Sequence, residues 1–276
     1  MILSGGGSFL FVLLLSLLAF SQVPEALPKW ELGAGYFYGD IPDYPGSEES
    51  TVRAFPVPYF IYRGDIVRAD REGGLRTRFL KGTMYELDFS FAGAFPANSE
   101  DNAARVDMPD LDWMFELGPQ LRLFLLTDLN LRIQLRFPLR AVFATDFQDL
   151  NHRGYTFSPE LRFSLPQFPF ESQILNFSYT HENASTELHR YFYDVVPAYA
   201  NATRPTYRAK NGHMADTYSI SLVSRYKRLA VFTGMSVADH SKAENLNSPL
   251  LTAKYTRSFF AGFIFSMYQS EEQGQR

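Results

Sequence analysis

The sequence predicts an all-β protein, a closed antiparallel transmembrane β-barrel of about 12 strands, with 10–14 possible. Three observations predict this fold: apolar and polar residues alternate along the chain, aromatic residues make up 16% of it, and it contains no cysteine. Alternation gives a strand one apolar face, and membrane barrels concentrate aromatic residues at both interfaces. An exported protein without disulfides fits a fold stabilised by barrel closure.

The clearest alternation runs from Leu129 to Phe143, where every odd position is apolar. The even positions include three arginines: Arg132, Arg136 and Arg140. The segment 113–125 alternates in the same way, and Thr127-Asp128 would join the two as a hairpin. Alternation also occurs in soluble sandwiches and lipocalin-like barrels, which turn the apolar face inward. The length of these runs and the charges at strand centres favour the membrane barrel.

The pattern predicts twelve strands. They cover residues 30–38, 53–62, 66–79, 85–95, 113–125, 129–144, 154–165, 173–182, 189–196, 216–227, 229–238 and 254–268. If both termini are periplasmic, the long connections follow odd-numbered strands. The short turn at 126–128 and the long connection at 96–112 break this rule, which suggests a missed hairpin at Gly73-Gly74.

The N-terminus predicts a cleaved signal peptide. Residues 9–20 form an apolar run that is too short to span a bilayer, and Ala19 and Ser21 are small residues suited to cleavage after Ser21. The predicted organisation is therefore a signal peptide at 1–21, an outer-membrane barrel at 22–268 and a polar tail at 269–276. The predicted location is the bacterial cell outer membrane. The formal net charge of −4 argues against a nucleic-acid partner.

Charged residues on the polar faces are candidate lumen residues. They are Arg132, Arg136, Arg140, Arg122, Arg162, Glu116, Glu160, Glu86 and Asp88. One interpretation is a charge ladder that sets ion selectivity in a pore. The other is that the same charges pair across the lumen and fill it. The sequence leaves both open.

No residue pattern predicts catalysis, a cofactor or a metal site. The five histidines, at 152, 181, 189, 213 and 240, have no H-E-x-x-H spacing, and there is no cysteine to complete a common zinc site. His240-Ser241 lacks the surroundings of a catalytic pair. Asp107, Asp110 and Asp112 lack the spacing of a calcium loop.

Short motifs in the connections resemble those of the MltA-interacting protein family, also called MipA/OmpV-like. The motifs are Pro42-Asp43-Tyr44-Pro45-Gly46-Ser47-Glu48 with Arg53 and Phe55-Pro56-Val57-Pro58-Tyr59, Asn98-Ser99-Glu100-Asp101, Met108-Pro109-Asp110-Leu111, Glu116-Leu117-Gly118-Pro119, Tyr193-Asp194-Val195, Tyr207 with Ala209, and Ser248-Pro249-Leu250. The motif residues in connections are Pro42, Tyr44, Gly46, Ser47, Asn98, Ser99, Pro109 and Asp110. Two departures are Phe192, where a tyrosine is expected, and Gln269, where a terminal aromatic is expected.

The resemblance implies a non-enzymatic outer-membrane barrel. Its implied role is a scaffold for murein-synthesising and murein-cleaving enzymes, with outer-membrane lipid and those periplasmic enzymes as partners. The alternative is a porin-like channel for ions or small solutes, suggested by the inward arginines. A third hypothesis, an outer-membrane hydrolase, has no supporting motif. The resemblance implies no catalytic residue, cofactor or metal.

Overall fold

The computed structural model describes residues 28–63, 67–70, 74–77, 80–82 and 84–272. The predicted signal peptide at 1–21 lies outside these residues, as does the end of the predicted tail from 273. The described residues form one antiparallel sheet of 14 strands. In the described part of the chain, one α-helix and two short 3-10 helices lie in the connections.

The strands are long, and many are uninterrupted over ten residues or more. They are β1 (Trp30–Pro42), β2 (Ser50–Arg63), β3 (Val67–Asp70), β4 (Gly74–Thr77), β5 (Leu80–Lys81), β6 (Tyr85–Ala94), β7 (Trp113–Thr127), β8 (Arg132–Thr145), β9 (Leu150–Phe157), β10 (Glu160–Pro166), β11 (Gln173–Ala184), β12 (Gly212–Tyr226), β13 (Leu229–Asp239) and β14 (Tyr255–Gln269). The helix α1 spans Thr186–Tyr193.

Most strands pair with their neighbours in the chain, and the first strand, β1, also pairs with the last, β14. β9 and β10 both pair with β8 and with β11, so they act as one strand interrupted at Ser158-Pro159. The hydrogen-bonded path ends at β4 and β5, which are consecutive in the chain. Residues of β4 and β6 approach within 8 Å between Cα atoms. The all-β antiparallel fold is confirmed, and full closure stays a prediction.

Two predicted strands are wrong. The segment 66–79 contains two strands, β3 and β4, which pair antiparallel with Asp70 opposite Gly74. The segment 189–196 lies largely in α1, and the buried residues of that helix, Leu188, His189, Phe192 and Tyr193, are spaced as one helical face. Its aromatic residues have high β-propensity, and for that reason the sequence predicted a strand here. These two errors cancel in the strand count, and the described strands number fourteen because β5 was not predicted and the segment 154–165 contains both β9 and β10. The two errors do change the sidedness of the connections.

The corrected order places all the long connections at one end of the sheet. Residues 43–49, 95–112, 185–211 and 240–254 lie there, and short turns at 128–131, 167–172 and 227–228 lie at the opposite end. Both described termini lie at the short-turn end, where Lys29 Nζ is 2.9 Å from Glu272 Oε2. The apparent exceptions to the sidedness rule therefore disappear.

The strands expose their apolar faces and bury their polar faces. Tyr36, Phe115 and Leu139 are exposed by 43%, 44% and 49%, whereas Asp88 and Arg122 are exposed by 0% and 3%. A soluble sandwich has the reverse arrangement, because it hides apolar area from water. An apolar exterior around polar residues is the arrangement of a transmembrane barrel. Among the described helices, none is both long enough and apolar enough to cross a membrane.

Candidate functional site: the loop cap and the polar interior

The four long connections pack together at one end of the sheet into a structure that we call the cap. It consists of residues 43–49, 95–112, 185–211 and 240–254. Its buried apolar core includes Tyr44, Leu111, Leu188, Phe192, Tyr193, Val195 and Leu250, together with the strand residues Met114, Val142, Ala144, Ala184 and Met214. Met114 and Val142 lie on the same strand faces as the inward residues Glu116 and Arg140. The apolar core therefore fills the mouth of the polar interior.

The motif around Tyr44 forms a tight turn. Ser47 N donates to Tyr44 O at 3.0 Å, and Gly46 has a φ of +78°. Proline followed by glycine with positive φ is the pattern of a type II turn. Gly46 O accepts from Thr252 N at 2.9 Å and from Ala253 N at 3.0 Å. The turn thus joins the first and last connections of the cap.

The motif containing Asn98, Ser99, Pro109 and Asp110 closes the second connection on itself. Ser99 N donates to Asp110 Oδ1 at 2.7 Å, and Ser99 Oγ donates to Pro109 O at 2.7 Å. Asn98 Oδ1 accepts from Glu100 N at 3.0 Å, which caps a short 3-10 helix. These hydrogen bonds hold the connection together, and those of Ser99 explain how its side chain is fully buried.

Arg105 joins three parts of the cap. Its Nη2 donates to Pro109 O at 3.0 Å and its Nη1 donates to Phe192 O at 3.3 Å. Its guanidinium carbon lies 5.5 Å from the centre of the Tyr44 ring. Burial lowers the pKa of Arg105 from its usual value and raises the pKa of Tyr44 to about 12. A cation on an aromatic face, with its hydrogens bonded to carbonyls, stabilises the closed arrangement.

Asn245 and His189 form a second buried junction. Asn245 Oδ1 accepts from Tyr207 OH at 3.2 Å and from Lys210 N at 2.9 Å. Asn245 Nδ2 donates to Lys210 O and to His189 Nδ1, while His189 Nε2 lies 3.2 Å from Gly212 O. His189 must therefore be neutral, with its proton on Nε2. Burial lowers the pKa of His189, which favours that form.

The predicted lumen charges include a buried group on β6 and β7. Arg122 Nη2 lies 2.8 Å from Glu86 Oε1 and 2.6 Å from Asp88 Oδ2. Gln120 Nε2 donates to Asp88 Oδ1 at 3.3 Å. All four side chains are almost fully buried. A buried charge is tolerated only when it is paired, so this group serves to fill the interior as well as to balance its charge.

Arg140 and Arg162 each form a further ion pair. Arg140 Nη1 is 3.6 Å from Glu116 Oε2, and Arg140 Nε donates to Ser90 Oγ at 2.8 Å. Arg162 Nε is 2.5 Å from Glu160 Oε1. The Arg140 pair connects β8 to β7 and β6, whereas the Arg162 pair is local to β10.

The other two predicted arginines, Arg132 and Arg136, lie on β8. Arg136 Nη2 donates to Gln134 Oε1 at 2.9 Å. Arg132 Nε is buried and makes no hydrogen bond within the described residues. The structure therefore brings most of the predicted lumen charges into local pairs rather than into one continuous ladder.

Sequence reasoning did not identify Arg105, His189 or Asn245 as site residues. They lie in irregular connections, where neither period-2 nor helical spacing gives a signal. It also did not join His181, His213 and Asp216, which are the group in the described part of the chain that could hold a metal ion. His181 and Asp216 are 35 residues apart but directly opposite on β11 and β12.

Comparison with known proteins gives one family match. The profile of the family described as "MltA-interacting protein MipA" matches residues 32–267. No curated protein matches the chain.

Among solved structures, a bacterial polysaccharide outer membrane secretin is similar at 8% identity, with 88% of this chain and 100% of that chain covered and a TM-score of 0.46. The NanC porin is similar at 9% identity, with 86% and 100% covered and a TM-score of 0.40. LpxR from Salmonella typhimurium is similar at 11% identity, with 86% and 90% covered and a TM-score of 0.39.

Proposed function

The chain belongs to the MltA-interacting protein MipA family, and we propose that it is an outer-membrane scaffold for murein-synthesising and murein-cleaving enzymes. The family match across 32–267 is the observation that carries this proposal. The name of the family describes an interaction with MltA, and we extend that interaction to this chain. We also propose that it has no enzyme activity of its own.

The distribution of exposed residues supports a location in the outer membrane. Tyrosine, phenylalanine and leucine side chains cover the exterior of the long strands. In water such a surface would cost free energy in proportion to its area, whereas in lipid it costs none. A continuous antiparallel sheet satisfies the backbone hydrogen bonds within the bilayer.

The short-turn end is the proposed contact surface for periplasmic enzymes. Both described termini lie there, and barrel termini face the periplasm. The turn 167–172 carries two exposed aromatic residues, Phe168 at 50% and Phe170 at 42%. Leu129 in the neighbouring turn is exposed by 75%. Exposed apolar side chains in polar turns are typical anchors of a protein interface.

Crosslinking in cells tests the scaffold. The full chain is crosslinked, recovered from isolated outer membranes, and its partners are identified by mass. We expect a murein-cleaving enzyme of the MltA type among them, and we expect the double variant F168S/F170S to recover several-fold less of it. Phe147 is exposed by 74% at the cap end, so F147S is the matched control and should recover as much as wild type.

Two results would argue against this proposal. Recovery of the chain alone would contradict the scaffold role. Equal losses from the variants at both ends would place the contact elsewhere. Incubation of the pure protein with murein and with outer-membrane lipid tests the absence of enzyme activity, and cleavage of either would contradict it.

A second candidate function is a channel, which the polar interior supports. Arg132 and the Arg140 pair would contact permeating ions if the interior were open. The apolar core of the cap and the pairing of Arg122 with Glu86 and Asp88 both oppose free passage. We therefore place the channel second to the scaffold.

A further inference from the structure

A histidine–aspartate group lies on the outer face of the sheet near the cap. The potential ligand atoms of His181, His213 and Asp216 all lie within 4.8 Å of one another. His181 Nδ1 is 2.8 Å from Asp216 Oδ1, and His213 Nε2 is 3.5 Å from Asp216 Oδ2. The two imidazole rings stack with centroids 4.3 Å apart and an interplanar angle of 10°. Neither the scaffold nor the channel makes use of this group.

Strand register brings the three residues together. His181 on β11 is directly opposite Asp216 on β12. An irregularity after Glu182 shifts the register, so that Asn183 pairs with His213. Because β-bulges reorient side chains locally, His213 lies beside His181 and Asp216. A regular ladder would have placed a different residue of β12 in that position.

The group faces outward rather than into the interior. Asp216 shares its strand face with Tyr218, which is exposed by 55%, and Phe177 on the His181 face is exposed by 40%. The intervening residue Thr217 points the other way, where it donates to Glu182 Oε1 at 2.7 Å. The group therefore lies where the aromatic exterior of the sheet meets the cap.

The ring nitrogens of His213 are available to bind a ligand. Both of its ring nitrogens are shielded from solvent, and neither makes a hydrogen bond of normal geometry within the described residues. Shielded polar atoms normally have a close partner, whereas His213 Nε2 has a contact of 3.5 Å with Asp216 Oδ2. An ion placed between His213 and Asp216 would supply that partner.

We propose that His181, His213 and Asp216 bind one divalent transition-metal ion of the Zn²⁺ class. Two imidazole nitrogens and one carboxylate oxygen suit Zn²⁺ and neighbouring first-row ions, and three protein ligands leave a position open to water. Tyr179 OH donates to Asp216 Oδ1 at 2.7 Å, which orients the carboxylate as an outer-shell partner does. Asp239 lies opposite Asp216 on β13 and adds negative charge nearby.

The ligand separations fit this proposal. Ligand atoms bonded to Zn²⁺ at about 2.0–2.2 Å lie roughly 3.3–3.6 Å apart in a tetrahedron. The separation of 3.5 Å between His213 Nε2 and Asp216 Oδ2 is within this range, and the 2.8 Å hydrogen bond between His181 Nδ1 and Asp216 Oδ1 would lengthen when an ion binds. Because the nitrogen lone pairs lie in the planes of the stacked rings, the imidazoles have to turn toward each other for both to bind one ion.

Zinc titration of the detergent-solubilised full chain tests the proposal. The protein carries no polyhistidine tag and is stripped with EDTA before calorimetry with Zn²⁺. We expect one equivalent to bind. We expect H213Q and D216N each to weaken binding by more than the roughly tenfold change typical of outer-shell substitutions. The exposed His152 lies outside the group, so H152Q is the matched control and should bind as wild type does.

Cobalt spectroscopy makes the test independent of variant folding. Co²⁺ added to the wild-type protein should give visible absorption bands that Zn²⁺ abolishes. Heat-dependent migration in electrophoresis shows which variants are folded. A wild-type protein that binds no Zn²⁺ and gives no Co²⁺ bands overturns the proposal. Full binding by folded H213Q and D216N also overturns it. Neither result bears on partner recovery by crosslinking, so the two proposals fail separately.

Discussion

At the residue scale, the cap depends on a few buried polar side chains. Arg105 bonds to Pro109 O and Phe192 O and lies over Tyr44. Asn245 uses both ends of its amide, with Tyr207 and Lys210 on one side and His189 on the other. The motif residues around Tyr44 and Ser99 were identifiable from sequence because they are contiguous. Arg105 was not, because its partners are distant in the chain.

Substitution of Arg105 should destabilise the cap. R105M keeps much of the side-chain volume but leaves Pro109 O and Phe192 O without this donor. The expected loss in the free energy of unfolding is about 3 kcal/mol. Urea unfolding of the detergent-solubilised protein measures it. The exposed Arg190 supplies the control, since R190M should change stability by no more than about 0.5 kcal/mol. Equal effects of the two substitutions would contradict the role given to Arg105.

Protonation of His189 should open the cap. Burial lowers the pKa of His189 in the folded state, so the unfolded state binds the proton more readily. The stabilisation is complete above the unfolded pKa of about 6.5 and is lost as the pH falls from there through the folded pKa. Limited proteolysis of the cap across this range is the measurement. Burial opposes charging more strongly than the nearby Glu244 favours it, and His213 opposes it too.

The His189→Gln variant provides the comparison. Glutamine can accept from Asn245 Nδ2 without titrating, so H189Q should show a shallower dependence of cleavage on pH. His240 is also buried with a lowered pKa, and it should preserve part of the dependence. An unchanged pH profile in H189Q would show that His189 does not control the cap.

At the element scale, strand alternation was a reliable guide and the connections were not. The hairpin of β7 and β8 lies where the alternation predicted it. The helix α1 was predicted as a strand because Tyr191, Phe192 and Tyr193 favour β-structure as single residues. Their helical conformation is decided by packing, since Phe192 and Tyr193 enter the core of the cap.

The turn at Gly46 should not tolerate a β-branched residue. Its φ of +78° disfavours any L side chain, and an added Cβ would lie 2.8 Å from Leu251 Cγ. G46V should destabilise the cap by about 2 kcal/mol and increase cleavage of residues 240–254 by protease. The neighbouring Glu48 is exposed, so E48A should leave cleavage unchanged. Resistance of G46V to protease would show that the turn is not needed to hold that connection.

At the scale of the whole molecule, two sets of side chains occupy the interior. The cap fills one mouth with apolar side chains, and the groups around Arg122 and Arg140 occupy the polar interior with paired charges. Within the described residues, the opposite end carries short turns and the two ends of the described chain. The protein therefore has its packed cap at one end and its exposed turns at the other.

Conductance in planar bilayers should be low for the wild-type protein. Replacement of residues 244–251 by a short Gly-Ser turn removes Asn245, Ser248 and Leu250 from the cap, and we expect this variant to conduct small ions. The reason is that the mouth loses its apolar core while the polar interior remains. Substitution of Phe147, which leaves the cap core in place, should keep the protein silent. Substantial wild-type conductance would favour the channel over the scaffold.

The sequence by itself determined the all-β fold, the strand faces and the family. These follow from period-2 alternation and from contiguous motifs, which are local properties of the chain. Only the tertiary structure decided that the long connections share one end and that their motifs pack into a single cap. It also decided the pairing of His181 with Asp216. Such contacts join residues far apart in the chain, and their energies depend on packing, register and burial that no local pattern contains.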